Sequence, residues 1–400
     1  MSSQYFQKGF NLKAAVAPVL HGSYSSDVVE RIKAARYAVR AGDLTLKLAR
    51  EFGFCYGVDR AVEYAYETRE KFPERRLFLS GEIIHNPEVN ERLRGMGITI
   101  LPEDQDLERR YAAVNAEDVM ILPAFGVTTA QLAHLRGKGC VLVDTTCGSV
   151  LNVWKNVRAY AREGLTSVIH GKHHHEETRA TASQAQQEGG HFLCLRDVGE
   201  AGWACDFVAG ALSGAELLKR LGHAASPGFD PERDLQRIGL ANQTTMLMSE
   251  SVQVQEALRK AFVARFGEAE LGTRFRAFDT ICSATQDRQD AVQKMLADGG
   301  LDLMVVIGGY NSSNTIALAR LCGERLPTYH ISGADGLEDR AIRFRPPGAQ
   351  QETRADTWLP EGPLTLGLTA GASTPNNVVG QVVLKLLALR GKQAGDLVAA

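Results

Sequence analysis

The sequence predicts an α/β fold in which three modules, each built on a small parallel sheet, are arranged with pseudo-three-fold symmetry. From Leu44 onward, short apolar segments rich in β-branched residues alternate with segments of helical period. Such alternation favours parallel sheets that are covered by helices on both faces. The candidate strands are too many for one comfortable sheet, and similar motifs follow strands that lie far apart in the chain. Three sheets explain both observations.

The elements fall into an N-terminal extension over 1–42, modules over 43–147, 148–281 and 282–390, and a C-terminal tail over 391–400. In the extension, apolar residues at helical spacing predict a helix over Val28–Val39. An insertion near 206–234 contains a loop rich in glycine and proline, and the strand before Cys55 is a candidate partner for the last module. The candidate strands are Leu44–Leu48, Arg76–Leu79, Ile98–Leu101, Val119–Leu122, Cys140–Val143, Ser167–His170, Phe192–Leu195, Ile238–Ala241, Phe275–Phe278, Leu303–Ile307, Thr328–Ile331 and Leu364–Leu368.

The near balance of charges gives no support for several classes of partner, although it leaves room for a local basic pocket that binds an anionic ligand. The chain has 45 Lys and Arg against 47 Asp and Glu, a net charge of −2. We therefore expect neither general nucleic-acid binding nor attraction to an anionic membrane surface. No run approaches the ~18 apolar residues of a membrane-spanning helix. The short apolar stretch Ala14–Leu20 contains Pro18 and lacks a cleavage site, so the cytoplasm is the expected location.

Three of the seven cysteines lie between a candidate strand and a candidate helix. Asp144-Thr145-Thr146-Cys147 and Asp279-Thr280-Ile281-Cys282 are near copies, and Cys55 follows the Leu44–Leu48 region. The strand ends of α/β sheets are the usual places for sites. Without a CxxC pair, a zinc ribbon, a thioredoxin motif and a ferredoxin cysteine run lack support. Three thiolates from three modules instead predict an iron–sulfur cluster with one open iron. The other cysteines lie in apolar patterns and are predicted to be buried: Cys140, Cys194, Cys205 and Cys322.

Loops rich in glycine, hydroxyl and amide groups follow three further strand candidates and lead into helices. Backbone N–H groups and the dipole at a helix N-terminus attract anions, so phosphate is the expected ligand. Ordinary helix capping is the alternative for any single loop. Neither GxxxxGK[ST] nor GxGxxG after a strand is present, which leaves nucleotide cofactors without their usual motifs. The loops are Asn242–Thr245, Gly308–Thr315 and Thr369–Asn377.

A run of histidines and glutamates follows another strand candidate. Its histidine, lysine and glutamate side chains are expected to bind a diphosphate, and a carboxyl group in a closed site can act as a general acid. A zinc site and a solvated polar loop are the alternatives. His85 also ends an apolar segment, and alone it is more typical of a structural histidine. The run reads His170-Gly171-Lys172-His173-His174-His175-Glu176-Glu177-Thr178.

Eight short motifs occur in the order seen in the LytB family, which the sequence resembles from about Leu44 to Leu387. The extension and the insertion are similar to those of the longer plant and cyanobacterial type of that family. Several motifs are weak singly, but their order makes them specific together. They are Phe54-Cys55-Tyr56-Gly57-Val58-Asp59-Arg60, Ile84-His85-Asn86, Asp144-Thr145-Thr146-Cys147, His175-Glu176-Glu177, Gln243-Thr244-Thr245, Ile281-Cys282, Asn311-Ser312-Ser313-Asn314 and Thr369-Ala370-Gly371-Ala372-Ser373.

The resemblance implies a 4-hydroxy-3-methylbut-2-enyl diphosphate reductase, the last enzyme of the methylerythritol phosphate route to isoprenoids. It implies a [4Fe-4S] cluster on Cys55, Cys147 and Cys282, with one iron left open to the substrate hydroxyl. Glu177 takes the position of the proton donor, assisted by Thr244. The residues implied in binding the substrate diphosphate are His85, His175, Thr245, Ser312, Ser313, Asn314 and Ser373.

The same resemblance leaves some points open. Glu176 is the alternative acid, although Thr181 anchors the alignment on Glu177. Phe125 stands where many bacterial members have a histidine, and a phenylalanine cannot donate a hydrogen bond to an anion. Lys172 is a candidate substitute for the missing charge. A ferredoxin or flavodoxin is the implied electron donor, because no flavin or nicotinamide motif is present, and the oligomeric state is not predicted.

Two rival functions also fit three distant cysteines. A dehydratase resembling quinolinate synthase would use the open iron without external electrons. A cluster-based redox sensor would need no catalysis, but it should have a surface for a partner or for DNA. The sequence shows neither a basic helix nor a helix-turn-helix segment, which disfavours the sensor.

Overall fold

In the computed structural model, which describes residues 4–278 and 280–400, the strands form three larger sheets and one two-stranded sheet. The chain divides into two units. Unit 1 comprises Met1–Lys8, Glu74–Ile83 and Ile98–Cys282, and unit 2 comprises Gly9–Pro73, Ile84–Gly97 and Ser283–Ala400. The predicted α/β class is confirmed. The pseudo-three-fold arrangement and the predicted domain boundaries stay predictions.

The strands are short and are distributed along the whole chain. In chain order they are β1 (Tyr5–Phe6), β2 (Ala38–Ala41), β3 (Leu44–Leu48), β4 (Leu77–Leu79), β5 (Ile98–Ile100), β6 (Val119–Leu122), β7 (Val141–Asp144), β8 (Thr166–His170), β9 (Phe192–Leu195), β10 (Ile238–Asn242), β11 (Phe275–Ala277), β12 (Leu303–Ile307), β13 (Thr328–Ile331), β14 (Ala341–Phe344), β15 (Thr353–Asp356), β16 (Leu364–Ala370) and β17 (Val398–Ala399).

Helices lie between successive strands from β3 to β13. In chain order the helices are α1 (Lys13–Tyr24), α2 (Asp27–Ala34), α3 (Tyr56–Lys71), α4 (Pro87–Gly95), α5 (Leu107–Arg110), α6 (Thr129–Lys138), α7 (Gly148–Arg162), α8 (Glu176–Gln187), α9 (Val198–Val208), α10 (Gly214–Leu221), α11 (Pro231–Asp234), α12 (Met248–Phe266), α13 (Glu268–Arg274), α14 (Ser283–Asp298), α15 (Ser313–Gly323) and α16 (Asn376–Leu389). Short 3₁₀ turns lie at Gly222–Ala224, Ala334–Gly336 and Ala394–Asp396.

Unit 1 contains two sheets whose strand pairs all run parallel. Their orders are β1-β7-β6-β4-β5 and β11-β10-β8-β9. Every residue of β6, β7, β8 and β10 is buried, as expected for central strands that are covered on both faces. The carboxyl ends of all strands in one sheet therefore lie at a single edge, where the loops of the candidate site begin.

Unit 2 contains a six-stranded sheet of order β13-β12-β16-β3-β2-β17. The strands β13, β12, β16 and β3 are parallel, whereas β2 and β17 run antiparallel to their neighbours. The strand before Cys55 thus pairs with β16 of the C-terminal segment. A separate hairpin, β14 with β15, is antiparallel and encloses the turn at Pro346-Pro347-Gly348.

The N-terminal extension contributes strands as well as helices. Tyr5 and Phe6 pair with Leu142 and Val143 as an edge strand of a unit 1 sheet. The predicted helix over Val28–Val39 is wrong in its second half, because α2 ends at Ala34 and β2 follows. Arg36 and Tyr37 have φ values of 56° and 67°, a left-handed backbone that a helix cannot contain.

Within the described residues, no helix is both long enough and apolar enough to cross a membrane.

Candidate active site

Three cysteines have the same backbone environment in the two units. In unit 1, the N–H of Cys147 donates to the carbonyl of Ala124 at 3.0 Å, and that of Cys282 donates to Thr244 at 3.2 Å. In unit 2, the N–H of Cys55 donates to Ala372 at 3.2 Å. Each accepting carbonyl lies two residues beyond the end of a parallel strand, namely β6, β10 or β16. The three cysteines are therefore local structural repeats.

The threonines of the two repeated motifs also act alike. Thr145 Oγ1 donates to the carbonyl of Leu122, the last residue of β6, at 2.6 Å. Thr280 Oγ1 donates to the carbonyl of Asn242, the last residue of β10, at 3.1 Å. The resemblance between the motifs thus reflects one way of fastening a loop to the neighbouring strand. Asp279 of the second motif lies outside the described residues.

The same three cysteines each directly precede a helix. Cys55 caps α3, with its Sγ accepting from the N–H of Val58 at 3.4 Å, Cys147 caps α7, and Cys282 precedes α14. All three are half-buried. The thiolate is the form of cysteine that binds iron, and a half-buried position leaves its sulfur accessible. The donor chemistry of these positions therefore fits an iron–sulfur cluster.

The remaining four cysteines lie in a different environment. Cys140, Cys194 and Cys322 are buried as predicted, whereas Cys205 is half-buried. Burial raises the pKa of the Cys140 and Cys205 thiols to about 11 and that of the Cys194 and Cys322 thiols to about 12. Neutral thiols are poor metal ligands, so these four suit the packing role expected from the sequence.

Glu177 is held in the interior of unit 1 at the start of α8. Its side chain is 2% exposed, and Oε1 accepts a hydrogen bond from the N–H of Thr244 at 2.6 Å. The same Thr244 accepts from Cys282, as described above. Gln243 fastens the surrounding loops, because its Oε1 accepts from Thr178 Oγ1 at 3.1 Å and its Nε2 donates to Thr245 Oγ1 at 2.9 Å. The motif in the sequence did not indicate this role of Gln243 in connecting the loops.

His175 is the N-cap of α8 and is 8% exposed. Its Nδ1 accepts from the N–H of Glu177 at 3.2 Å, so Nε2 is the nitrogen that carries the proton in the neutral ring. The ring of Phe125 meets the His175 ring edge-on with centroids 6.0 Å apart. Phe125, which the resemblance placed where many relatives have a histidine, thus packs against His175.

The other side chains of the histidine and glutamate run differ in how exposed they are. The Glu176 carboxylate is partly exposed and lies 3.8 Å from His175 Nδ1. His173 and His174 are exposed, and Lys172 is half-exposed. Because His175 and Glu177 are buried, a fully solvated loop does not describe this segment.

In unit 2, the backbone of His85 is packed against two glycine-containing loops. The carbonyl of His85 accepts from Ser373 Oγ at 3.2 Å, and a side chain at Gly309 would collide with that carbonyl. Asn314 Oδ1 accepts from the N–H of Ala372 at 2.9 Å, directly beside the bond made by Cys55. The structure therefore brings His85, Ser373, Asn314 and Cys55 into one network of loops.

The remaining predicted residues of unit 2 lie at the start of α15. Ser312 Oγ accepts from the N–H of Thr315 at 3.3 Å, so this serine also makes the ordinary capping contact weighed against anion binding. Ser313 is 6% exposed and is the first residue of the helix. Both serines are thus fixed at a helix N-terminus.

Arg288 is a residue that the sequence did not reveal. It is 4% exposed, and its guanidinium donates to the carbonyls of Gly53 at 2.7 Å and Phe54 at 3.1 Å, just before Cys55. Among the described residues, no carboxylate forms an ion pair with it. A buried cation that binds only carbonyls beside a cysteine suits a site that holds negative charge. Nothing in the sequence around Arg288 distinguishes this buried arginine from an arginine on the exposed face of a helix.

Comparison with known proteins shows which family the chain belongs to. The chain matches the family model described as LytB protein over residues 46–387. A relative from Gloeobacter violaceus, named 4-hydroxy-3-methylbut-2-enyl diphosphate reductase, is 46% identical over 98% of this chain and 94% of its own length. One of the same name from Thermosynechococcus vestitus is 44% identical over 97% of this chain and 96% of its own length.

Two solved structures are also similar. A structure of (E)-4-hydroxy-3-methyl-but-2-enyl diphosphate reductase, the terminal enzyme of the non-mevalonate pathway, is 26% identical, covers 85% of this chain and 98% of its own, and has a TM-score of 0.50. The reductase from Plasmodium falciparum is 21% identical, covers 87% and 88%, and has a TM-score of 0.63, which supports the fold. From the family model and the near full-length relatives, the chain belongs to the LytB family.

Proposed function

We propose that this chain reduces 4-hydroxy-3-methylbut-2-enyl diphosphate to isopentenyl diphosphate and dimethylallyl diphosphate, the last step of the methylerythritol phosphate route. The observation that carries the proposal is the repeated environment of Cys55, Cys147 and Cys282, each bonded two residues past a strand end and followed by a helix. The names of the near full-length relatives support the same activity. A reducing compartment keeps cysteines available to bind iron, and we place the reaction in the cytoplasm.

Cys55, Cys147 and Cys282 are the residues that would hold a [4Fe-4S] cluster. When bound, such a cluster supplies one iron without a protein ligand, which acts as a Lewis acid toward the allylic hydroxyl, and it passes electrons singly. The overall reaction consumes two electrons and two protons, breaks one C–O bond and releases water. A separate small carrier, a ferredoxin or flavodoxin, would supply these electrons in two one-electron transfers and would itself be oxidised.

Glu177 is the proposed source of the proton for the departing oxygen. The backbone N–H of Thr244 binds Oε1, so Oε2 is the oxygen that can carry the proton. Burial of the carboxyl group keeps water from competing for the transfer. The Thr244 hydroxyl is the proposed assisting group.

The diphosphate would be bound by groups from several loops. His175 offers its Nε2–H because Nδ1 already accepts from the backbone. The remaining proposed contacts are His85, Thr245, Ser312, Ser313, Asn314 and Ser373, and Lys172 is a proposed additional positive charge. Phe125 cannot contribute a donor, so we assign it the packing contact with His175.

The test is an assay of the anaerobically purified, cluster-loaded protein with the hydroxylated diphosphate, dithionite and a mediator dye. Formation of both C5 diphosphate products is expected. Their absence from protein with a full cluster would overturn the proposal, and turnover without any reductant would favour the dehydratase. Cys282→Ser should lose bound iron, whereas Cys205→Ser, which alters a half-buried cysteine outside the repeats, should retain it.

A further inference from the structure

A cavity of about 490 Å³ lies in unit 1 beside the loop that carries Cys147. Asp144 and Thr146 of that loop form part of its wall, and Trp154 and Leu122 contribute apolar surface. Four cationic side chains complete the lining: Arg136, Lys155, Arg158 and Arg162. None of the roles proposed above uses these four residues. The cavity therefore needs an explanation of its own.

Three of the cations form a stripe along α7. Leu151, Lys155, Arg158 and Arg162 follow the spacing that places residues on one face of a helix. The stripe from Lys155 to Arg162 extends for about 10 Å at the helical rise. Leu151, one turn from Cys147, is 39% exposed, so an apolar group lies at the end of the stripe nearest the thiol. Arg136 adds a fourth charge from α6.

These charges are only partly neutralised. Among the described residues, no carboxylate pairs with Arg136 or Lys155. Arg158 binds the neutral amide oxygen of Gln184 at 2.8 Å, and Arg162 pairs with Glu188 at 2.7 Å. The chain as a whole has a net charge of −2, so the positive surface is a local feature.

The cavity wall also contains one carboxylate, Asp144, against four cations, so its lining stays net positive. Asp144 is 6% exposed. Its Oδ2 accepts from Tyr5 Oη and, at 3.3 Å, from Gln7 Nε2, while its Oδ1 accepts from the N–H of Thr146 at 2.9 Å. The carboxylate is thus occupied in holding the loop that leads to Cys147.

Packing connects this surface to Cys147. The side chain of Cys147 lies against a buried cluster that includes Val150 and Trp154. Trp154 also lines the cavity, so one indole separates the cavity from the environment of the cysteine. An electron donor seated on the surface would therefore be close to a proposed cluster ligand.

We propose that the α7 surface, defined as Arg136, Leu151, Lys155, Arg158 and Arg162, is the docking site of a small acidic one-electron carrier protein. The proposal rests on the proposed function. An acidic protein complements an exposed stripe of positive charge, and such charges steer association and fix orientation. A compact anion would use only part of a stripe of about 10 Å. Each docking event oxidises one carrier by one electron, and two such events supply the two electrons that one product requires.

The test uses the cluster-loaded protein and an oxidised, acidic plant-type [2Fe-2S] ferredoxin as the probe. Calorimetry gives Kd at low and moderate salt for the wild type, for Lys155→Glu and for Lys155→Glu with Arg136→Gln. The control is Lys260→Glu, the same charge reversal at an exposed position of α12 in the same unit. The double variant should bind at least about tenfold more weakly and respond less to salt, whereas the control should bind as the wild type does.

Turnover separates docking from the proposed function. The double variant should lose ferredoxin-driven turnover and keep the rate driven by dithionite and dye. An unchanged Kd, or an equal loss in Lys260→Glu, would overturn the docking proposal. It would also fail if inorganic diphosphate bound the wild type but not the double variant while ferredoxin bound both equally, since the cavity would then hold a small anion. A wild type that binds ferredoxin at this surface but forms no product would contradict only the proposed function.

Discussion

Glu177 and Cys282 are hydrogen-bonded to the backbone of the same residue, Thr244. The N–H of Thr244 donates to Glu177 Oε1 at 2.6 Å, and its carbonyl accepts from the N–H of Cys282 at 3.2 Å. The proposed acid and one proposed cluster ligand are therefore positioned by one short stretch of main chain. Because main-chain groups make these bonds, they persist when the Thr244 side chain is changed.

Replacing Glu177 by glutamine should separate proton delivery from structure. The amide oxygen can still accept from Thr244, so the fold and the iron content should be retained. Loss of the acid should lower kcat by roughly a hundredfold to ten-thousandfold. Steady-state kinetics with dithionite and dye, together with an iron assay, measure both effects.

Glu176→Gln is the matched control for that variant. Glu176 is the preceding residue, and its carboxylate is 35% exposed and lies 3.8 Å from His175 Nδ1. Its kcat should remain within a few-fold of the wild type. If Glu176→Gln lost most activity and Glu177→Gln did not, the acid would be Glu176.

Arg288→Met should weaken the loop that carries Cys55. The change removes the donors to the carbonyls of Gly53 and Phe54 and leaves these buried groups without that partner. The expected loss is about 2 to 4 kcal/mol in the free energy of unfolding, with less iron bound per folded chain. Urea unfolding and iron analysis test this.

A surface arginine provides the comparison for Arg288. Arg259 on α12 is 38% exposed and pairs with Glu256 at 3.4 Å, so Arg259→Met should change stability by less than about 0.5 kcal/mol. Equal effects of the two substitutions would mean that Arg288 does not support the Cys55 loop.

The sequence predicted the strand ends well because their signals are local. An apolar run, a motif and a helical pattern follow one another within a few residues, and the repeat of Thr145 and Thr280 proved to be a repeat of hydrogen bonds. Arg288 escaped prediction because its partners, Gly53 and Phe54, are distant in sequence. The end of α2 escaped because non-glycine residues at Arg36 and Tyr37 adopt a left-handed backbone that their residue types do not signal.

Two buried histidines should make the protein sensitive to acid. Burial lowers the pKa of His170 and of His330 from 6.5 to about 4. As pH falls below 6.5, the unfolded chain takes up a proton at each of these histidines, whereas the folded chain does not until pH approaches 4. Each histidine therefore leaves the folded state at its full stability above pH 6.5 and reduces that stability as pH falls toward 4. Each histidine should lower the free energy of unfolding by about 2 kcal/mol between pH 7 and pH 5.

Denaturant titrations at several pH values test this dependence. His330→Gln keeps a donor for the carbonyl of Gly308 but cannot be protonated, so its loss of stability between pH 7 and pH 5 should be smaller. His21→Gln, the same substitution at an exposed histidine, is the matched control. Identical profiles for His330→Gln and the wild type would contradict the assignment.

Gly126→Ala should lower the stability of the protein by more than the left-handed backbone at this position accounts for. Gly126 has a φ of 77°, and a Cβ there would lie 2.5 Å from Trp154 Cη2. Gly189 has the same φ of 77° with nothing within 4 Å of its Cβ position, so Gly189→Ala measures the cost of the left-handed backbone, about 1 to 2 kcal/mol. The clash with Trp154 should add about 1 to 3 kcal/mol at Gly126.

The two glycine variants also differ in their expected effect on turnover. Gly126 adjoins Phe125, whose ring contacts His175, so displacement of this loop should raise KM for the diphosphate as well as lower stability. Gly189 follows the end of α8 and should leave KM unchanged. Thermal unfolding measures the stability of both variants, and steady-state kinetics measures their KM. Equal stabilities and equal KM values would show that Trp154 yields to the added methyl group and that the Phe125 loop does not transmit the change to His175.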